Sequence, residues 1–352
     1  MRDTFDDAQT ATEARIAALE AKIAALEASA AAAPPSQGRK AWAERYGLLI
    51  AWAAVILVLG ALRPEQMFAW NSYATMLGSN AMVVVLTLAL IVPLTTGDFD
   101  LSVASVMGLA SMLIAVLNVQ MGVPVGFAAL LALMAGACVG AVNAFFILYF
   151  RVFSLIVTLG TGYFVAGLIL WAADGGTVAG VSMGLVKAVI LTRVLGIPIG
   201  FYYAAALTIA LWYLFQHTAL GRRMLFVGRG REVARLSGVD VGRVRAGALV
   251  ASSVLAAFAG VLYTGMRGVA DPSSALAFLL PAFAAAFLGS TAIYPGRFNA
   301  VGSFVAVYFL STGIMGLNFL GVDSFVQNLF YGGGLVMAVA ISQWIRGRPE
   351  MG

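Results

Sequence analysis

Ten apolar runs, two of them short, make up most of the chain and are separated by more polar breaks. They lie near 46–62, 80–96, 101–118, 123–150, 154–173, 195–215, 246–265, 276–290, 299–317 and 324–344. A helix crossing the hydrocarbon core of a bilayer needs roughly 20 apolar residues. The pattern therefore predicts an all-α, polytopic membrane protein of about ten transmembrane helices. The long fourth run has room to tilt, since tilt absorbs excess length. Along it Ala132, Gly136, Gly140 and Ala144 recur every four residues. Such a small-residue face lets a neighbouring helix approach closely in lipid.

The first residues follow another pattern. Ile16, Leu19, Ile23 and Leu26 are spaced as the a and d positions of two heptads, with Arg15 and Lys22 at g and Glu20 and Glu27 at e. Isoleucine at a with leucine at d favours a parallel dimer, but a coiled coil is usually sustained over at least three heptads. A short coiled coil and a solitary surface helix both fit. The stretch 31–38 (AAAPPSQG) reads as a linker. The expected organisation is a cytosolic N-terminal helix over 1–34 and a transmembrane domain over 35–352, interrupted by a cytosolic loop at 217–245. The first 35 residues lack the apolar core of a secretory signal peptide.

Composition agrees with a membrane protein: 61% of the 352 residues are hydrophobic and 11% are charged, where soluble domains carry about 25% charged residues. The net charge of +5 is read as orientation and lipid headgroup contact, not as nucleic-acid binding. With the N-terminus inside and ten alternating spans, 17 of the 21 Lys and Arg fall on inside segments. The outside segments hold only Arg63, Lys187, Arg193 and Arg267. This asymmetry places both termini in the cytosol. Cys138 and His217 are each the only one of their kind, which offers no disulfide or metal framework.

Four breaks carry the candidate chemistry. In 95–105 (TTGDFDLSVAS), two carboxylates and Gly97 interrupt an apolar stretch. A charge at the bilayer centre costs at least about 2.5 kcal/mol, so Asp98 and Asp100 belong at a membrane edge or beside a watery path. Asp100, followed by an apolar helix, has the look of an N-cap. In 153–161 (FSLIVTLGT), Ser154, Thr158 and Thr161 share one helix face. Asp98, Asp100, Ser102, Ser154, Thr158 and Thr161 are thus candidates to line a translocation path. A turn with a cap, and hydroxyls bonded to neighbouring helices, explain the same residues. The segment 217–245 carries seven arginines, and Val233–Leu236 within it has the makings of a short helix stopped at Gly238. It serves as a positive-inside loop or as a coupling element that docks on a cytosolic motor. In 289–302 (GSTAIYPGRFNAVG), GRFN echoes GDFD at 97–100, an internal repeat of the kind found in transporters built from two related halves. Gly97, Gly296 and Asn299 are the expected turn residues.

Taken in order, these four blocks resemble the ribose-type sugar permeases of the ATP-binding cassette (ABC) importer superfamily, over about residues 45–345. TGDFDLSV is similar to that family's GG-I-D-L-S-V block, FSLIVTLGT to its F-I-V-T-L-G-T block, GREVARLSGVDVGRVR to its segment with an alanine pair followed by S-G-I, and GSTAIYPGRFNAVG to its G-G-x-G block. The chain departs from the pattern at Thr96-Gly97, at Gly230-Arg231-Glu232 and at Pro295-Gly296-Arg297. The resemblance implies a permease subunit in a bacterial cytoplasmic (inner) membrane that imports a small polar solute, a monosaccharide such as ribose. It also implies a second permease subunit forming a homodimer, an extracytoplasmic sugar-binding protein outside, and ATPase subunits inside. Gly230, Arg231, Glu232, Ala234, Arg235, Ser237 and Gly238 are then the candidate contacts to the ATPase. Lipid is the other expected partner and nucleic acid is not.

No residues for catalysis are evident. The three lysines, at 22, 40 and 187, do not follow a glycine as a P-loop requires, so no cofactor is expected in this chain and ATP belongs to a partner subunit. One histidine excludes a His-Glu-x-x-His protease. An ion-coupled secondary transporter using Asp98 and Asp100 is the main alternative, but it gives the arginine-rich loop no special purpose.

Overall fold

Every side chain of the helix Ala81–Thr95 is buried, and its neighbours are arranged to bury it. In the computed structural model, residues 37–323 and 325–346, with Ala17 and Lys22, are described. The chain divides into Met1–Glu44 and Arg45–Gly352. The heptad segment belongs to the first unit and lies outside the described residues apart from those two positions. The candidate membrane spans, from Arg45 onward, lie in the second unit.

The helices in chain order are α1 (Gln37–Leu62), α2 (Pro64–Met67), α3 (Trp70–Ser79), α4 (Ala81–Thr95), α5 (Val103–Ala115), α6 (Val125–Tyr149), α7 (Ser154–Ala172), α8 (Met183–Val186), α9 (Ile199–His217), α10 (Ala219–Arg229), α11 (Arg231–Leu236), α12 (Val241–Arg267), α13 (Leu279–Gly289), α14 (Ala300–Phe319) and α15 (Phe325–Arg346). Short π-helical turns follow α5 and α8, and a 3-10 turn precedes α13. The strands are two-residue bridges. β1 (Val178–Ala179) pairs antiparallel with β4 (Val269–Ala270), and β2 (Arg193–Val194) with β3 (Ile197–Pro198). The fold is that of an all-α, multi-pass membrane protein.

Each predicted apolar run lies on a helix. Among the described residues, seven helices are long and apolar enough to cross a membrane, and eight if α3 and α4, bent by 43°, count as one span. The eighth predicted run is shorter than expected, an 11-residue α13 entered through the 3-10 turn. α3 was not anticipated, because its polar residues dilute the hydropathy of the stretch.

α4 is apolar on all sides, as a helix with no solvent or lipid face must be. It packs against α12, α13, α9 and α14. α12 also lies along α5 and α6, and small residues set that approach. A Cβ on Gly136 would stand 2.8 Å from the Ser253 carbonyl oxygen, and one on Gly140 2.7 Å from Val250 Cα. On the other side, a Cβ on Gly260 would meet the Met107 carbonyl oxygen at 2.4 Å. The small-residue face of the fourth run is thus a helix-packing seam. The outer faces of α6 and α7 carry exposed Phe127, Met134, Phe145, Phe164 and Trp171, the surface expected against lipid tails.

Candidate functional site

The break between α4 and α5 is built by its own sequence. Pro93 sits in the last turn of α4, and the hydroxyls of Thr95 and Thr96 donate to the carbonyls of Ile91 (2.7 Å) and Pro93 (2.9 Å). Gly97 then takes φ +80°, a left-handed conformation that costs glycine little. The chain runs through Asp98, Phe99 and Asp100 before helix resumes at Val103.

Asp98, 1% exposed, is held by two arginines. Arg245, in the first turns of α12, donates Nε to Oδ2 and Nη2 to Oδ1, both at 2.7 Å. Arg231, at the start of α11, donates Nη2 to Oδ1 at 3.0 Å and to the Gly97 carbonyl at 2.7 Å. The fork of Arg245 matches the carboxylate, the strong geometry for such a pair. Asp100 is fully buried and accepts from Ser102 N (3.0 Å), from the Ser102 hydroxyl and from Ser252 Oγ (2.9 Å). Its bond to Ser102 N closes a turn two residues on, one step ahead of the helix, so it organises the approach to α5 while Ser102 holds the N-cap position. Asn143 Nδ2 donates to Ser102 Oγ at 2.9 Å and draws α6 into the network.

The hydroxyl stripe of α7 serves the same break. Phe99 N donates to Ser154 Oγ (3.1 Å) and Leu101 N to Thr158 Oγ1 (3.0 Å). Two backbone donors of a non-helical segment are thereby satisfied, as buried backbone requires. Of the six sequence-predicted path residues, Asp98, Asp100, Ser102, Ser154 and Thr158 come together here. Thr161 is half-buried and lies outside this network. Sequence reasoning missed Asn143, Arg245 and Ser252. The available signal was that Asn143 alone, and Ser252 with its neighbour Ser253, are polar residues inside apolar runs.

Arg231 links this break to the arginine-rich segment. α10 lies close to α4, since a Cβ on Gly228 would stand 2.0 Å from the Thr95 carbonyl oxygen. α11 then begins after Gly230 and ends at Leu236, with Gly238 at φ +80°, two residues longer than predicted at its N-terminus. Ala234 is buried beneath it, whereas Val233 is 59% and Leu236 83% exposed. Glu232 and Arg235 form an exposed pair at 2.8 Å, and Ser237 Oγ donates to the Val233 carbonyl at 2.9 Å. Beside α11 opens a cleft of about 640 Å³ whose rim includes Arg151, Arg231, Arg235 and Arg245 against Asp98 and Glu232. The arrangement is a short helix with two bare apolar side chains and an excess of cations beside it. Its base is tied to the break between α4 and α5.

The second turn repeats the first. The hydroxyls of Ser290 and Thr291 close α13 on the carbonyls of Phe287 and Leu288, each at 2.7 Å. Gly296 takes φ +83°, and Asn299 accepts from Gly302 N at 2.6 Å to cap α14. Its Nδ2 is within reach of the carbonyls of Gly289 (3.0 Å), Ala292 (3.1 Å) and Arg297 (3.3 Å). Arg297 donates to Gln216 Oε1 at 3.2 Å. The GDFD and GRFN echo is therefore structural: a glycine with positive φ, a charged residue, a phenylalanine and an Asx that accepts a backbone N–H further along, at the N-cap of α5 in one case and in the first turn of α14 in the other. No group of three or more His, Cys, Asp or Glu suited to a metal occurs among the described residues.

Residues 72–339 match the family described as "Branched-chain amino acid transport system / permease component". The chain is similar to the D-allose transport system permease protein AlsC of Escherichia coli K12, with 27% identity over 303 residues, 86% of this chain and 92% of that protein. It is also similar to the Autoinducer 2 import system permease protein LsrD of Escherichia coli O9:H4 (strain HS), 31% identical over 273 residues, 75% of this chain and 82% of that one. LsrD of Escherichia coli K12 matches to the same degree. No solved structure matches the chain.

Proposed function

Because this chain belongs to the branched-chain amino acid transport system / permease component family, we propose that it is the membrane-spanning subunit of an ATP-driven importer for a small neutral polyhydroxylated solute, a monosaccharide. The observation that carries the coupling half of this reading is Arg231. It stands in the first turn of α11 and bonds to Asp98 and to the Gly97 carbonyl, so the docking helix and the break between α4 and α5 share one ionic contact. An ATPase subunit seated on Val233 and Leu236 in the cytosol would pull on α11, and the Asp98 cluster would pass that displacement to α4, α5 and α12. Gly230, Arg231, Glu232, Ala234, Arg235, Ser237 and Gly238 form the ATPase contact in this reading, and ATP is bound by that partner alone.

The remaining parts follow the relatives. AlsC is by its name a D-allose permease, which favours a monosaccharide cargo, and no observation singles out ribose. An extracytoplasmic sugar-binding protein delivers the solute, a second permease subunit completes the path, and the assembly sits in a bacterial cytoplasmic membrane.

The test is to purify the tagged permease from gently solubilised native membranes, identify its companions, and measure uptake by the reconstituted complex. An ATPase subunit among the companions and uptake that needs ATP are expected. Uptake that follows an ion gradient at constant ATP, with no ATPase recovered after cross-linking, would overturn the reading and return Asp98 and Asp100 to candidate ion sites.

A further inference from the structure

At the opposite end of the molecule from the arginine cleft, α3 and α14 face one another across a cavity of about 430 Å³, within the range of about 300–1,000 Å³ usual for small-molecule pockets. The distance follows from the helix between. α4 carries the chain from Asn80 to the turn at Thr96–Gly97 over 15 residues, which is roughly 22 Å of helix. Where the arginine face is cytosolic, this cavity opens in the outer half of the bilayer.

The lining mixes amides and hydroxyls with apolar side chains and carries no charge. Asn71, Thr75, Ser79 and Asn80 of the α3 side face Ser311 and Asn318 of α14, with Met76, Ile314, Met315 and Phe319 supplying apolar surface between them. No Asp, Glu, Lys, Arg or His is among the lining residues. The wall is held in place from behind. Tyr308 OH donates to the Leu77 carbonyl at 3.0 Å, and Trp52 Nε1 donates to Thr312 Oγ1 at 2.9 Å. Asn318 Oδ1 accepts from Gln327 Nε2 at 2.9 Å, and Asn80 Nδ2 donates to the Met76 carbonyl at 3.0 Å. The side chains of Asn71, Thr75 and Ser311 have no such bond among the described residues, and their donors and acceptors point to a free space. By contrast, the groove between α1, α14 and α15 is wholly apolar, lined by Val58, Leu59, Phe309 and Phe330 among others. One face suits lipid and the other does not, since polar groups at membrane depth need partners that hydrocarbon cannot supply.

We infer that the α3–α14 wall is the part of the solute path that this subunit contributes in the outer half of the membrane, and that it accepts neutral polyhydroxylated molecules and rejects zwitterions. The inference rests on the proposed importer function and places its solute on named residues of this subunit. Hydroxyls and amides each offer both donors and acceptors, which suits a ring of hydroxyl groups. An amino acid would bring an ammonium and a carboxylate into a site with no charge to pair with either, and lose their hydration without compensation. The bend at Asn80 places α3 there: a straight continuation of α4 would not turn this polar face by 43°.

The test uses right-side-out membrane vesicles holding the assembled transporter, with Cys138→Ala as background. Thr75→Cys, Ser311→Cys and the lipid-facing control Val58→Cys are treated from outside with a cationic, membrane-impermeant methanethiosulfonate. Because only a hydrated thiol ionises readily, labelling at 75 and 311 should be roughly tenfold or more faster than at 58. A mixture of neutral aldopentoses and aldohexoses should slow labelling at 75 and 311, and L-leucine should not. Asn71→Cys, at the exposed mouth, gives the same readout if Ser311→Cys does not insert. Labelling no faster than at 58 overturns the aqueous wall. Protection by L-leucine, or by neither probe, overturns the substrate class. ATP-dependent uptake measured in the same vesicles reports separately on the importer reading.

Discussion

Asp98 is a short side chain that three elements depend on. It is 1% exposed, Arg245 is 15% exposed and Arg231 is 41% exposed, so the two ion pairs are not equivalent. Removing one partner of a buried pair strands the other and typically costs about 3–5 kcal/mol. Asp98→Ala should therefore lower stability by about that much, measured by thermal or denaturant unfolding in detergent; a variant as stable as the parent would mean that the arginines find other partners. Arg231→Ala leaves the Arg245 fork intact and removes a half-solvated pair worth about 1 kcal/mol or less. It should keep its stability yet transport less solute per ATP hydrolysed. Asn299 makes a similar argument without charge. Asn299→Ala loses a cap worth about 1 kcal/mol and leaves buried carbonyls without a donor at a further cost of about 1–3 kcal/mol, which the same unfolding measurement would register. The carboxylates and hydroxyls of this site were legible as polar residues in apolar surroundings. Their partners were not, because Arg245 and Ser252 lie about 150 residues away in sequence from Asp98 and Asp100, and hydropathy carries no information about such distances.

At the scale of elements, the apolar runs located the long helices because each needs a continuous hydrophobic length. The short helices were harder. α11 was foreseen from Val233 to the stop at Gly238, but α10 was not. Its arginines Arg222, Arg223 and Arg229 read as loop charge, whereas they lie on a helix whose buried residues are Gly221, Met224 and Val227. α3 was missed for a reason that bears on function: Asn71, Ser72, Thr75 and Ser79, the residues that hide it from a hydropathy scan, are the residues that line the outer cavity. Close packing of α10 on α4 gives a test of coupling at this scale. Gly228→Ala puts a methyl group 2.0 Å from the Thr95 carbonyl oxygen, and α10 must move to admit it, at a cost of about 1–3 kcal/mol. ATPase copurification should survive while ATP-driven uptake falls. Normal uptake would show that the α4–α10 contact does not carry the motion.

At the scale of the whole molecule, the unit Arg45–Gly352 has two chemically distinct ends: an arginine-rimmed cleft beside an exposed short helix, and a neutral amide and hydroxyl cavity. Positive-inside counting assigns the first to the cytosolic side, and nothing in the composition pointed to the second. Replacing Gly230–Gly238 with a glycine-serine stretch should leave the permease inserted but without its ATPase in a pull-down. Recovery of the ATPase at the parental level would move the docking surface elsewhere.

The paired turns also make the molecule its own control. Gly97 and Gly296 hold nearly the same backbone, with φ +80° and +83°, and each is followed two residues on by phenylalanine and then by Asx. An alanine at either glycine meets the same left-handed backbone, while only the first stands inside the cluster of Asp98, Arg231 and Arg245. The effect at 296 is a blank reading for backbone strain. Whatever the change at 97 does beyond it belongs to the charges, so one chain supplies both the measurement and its baseline.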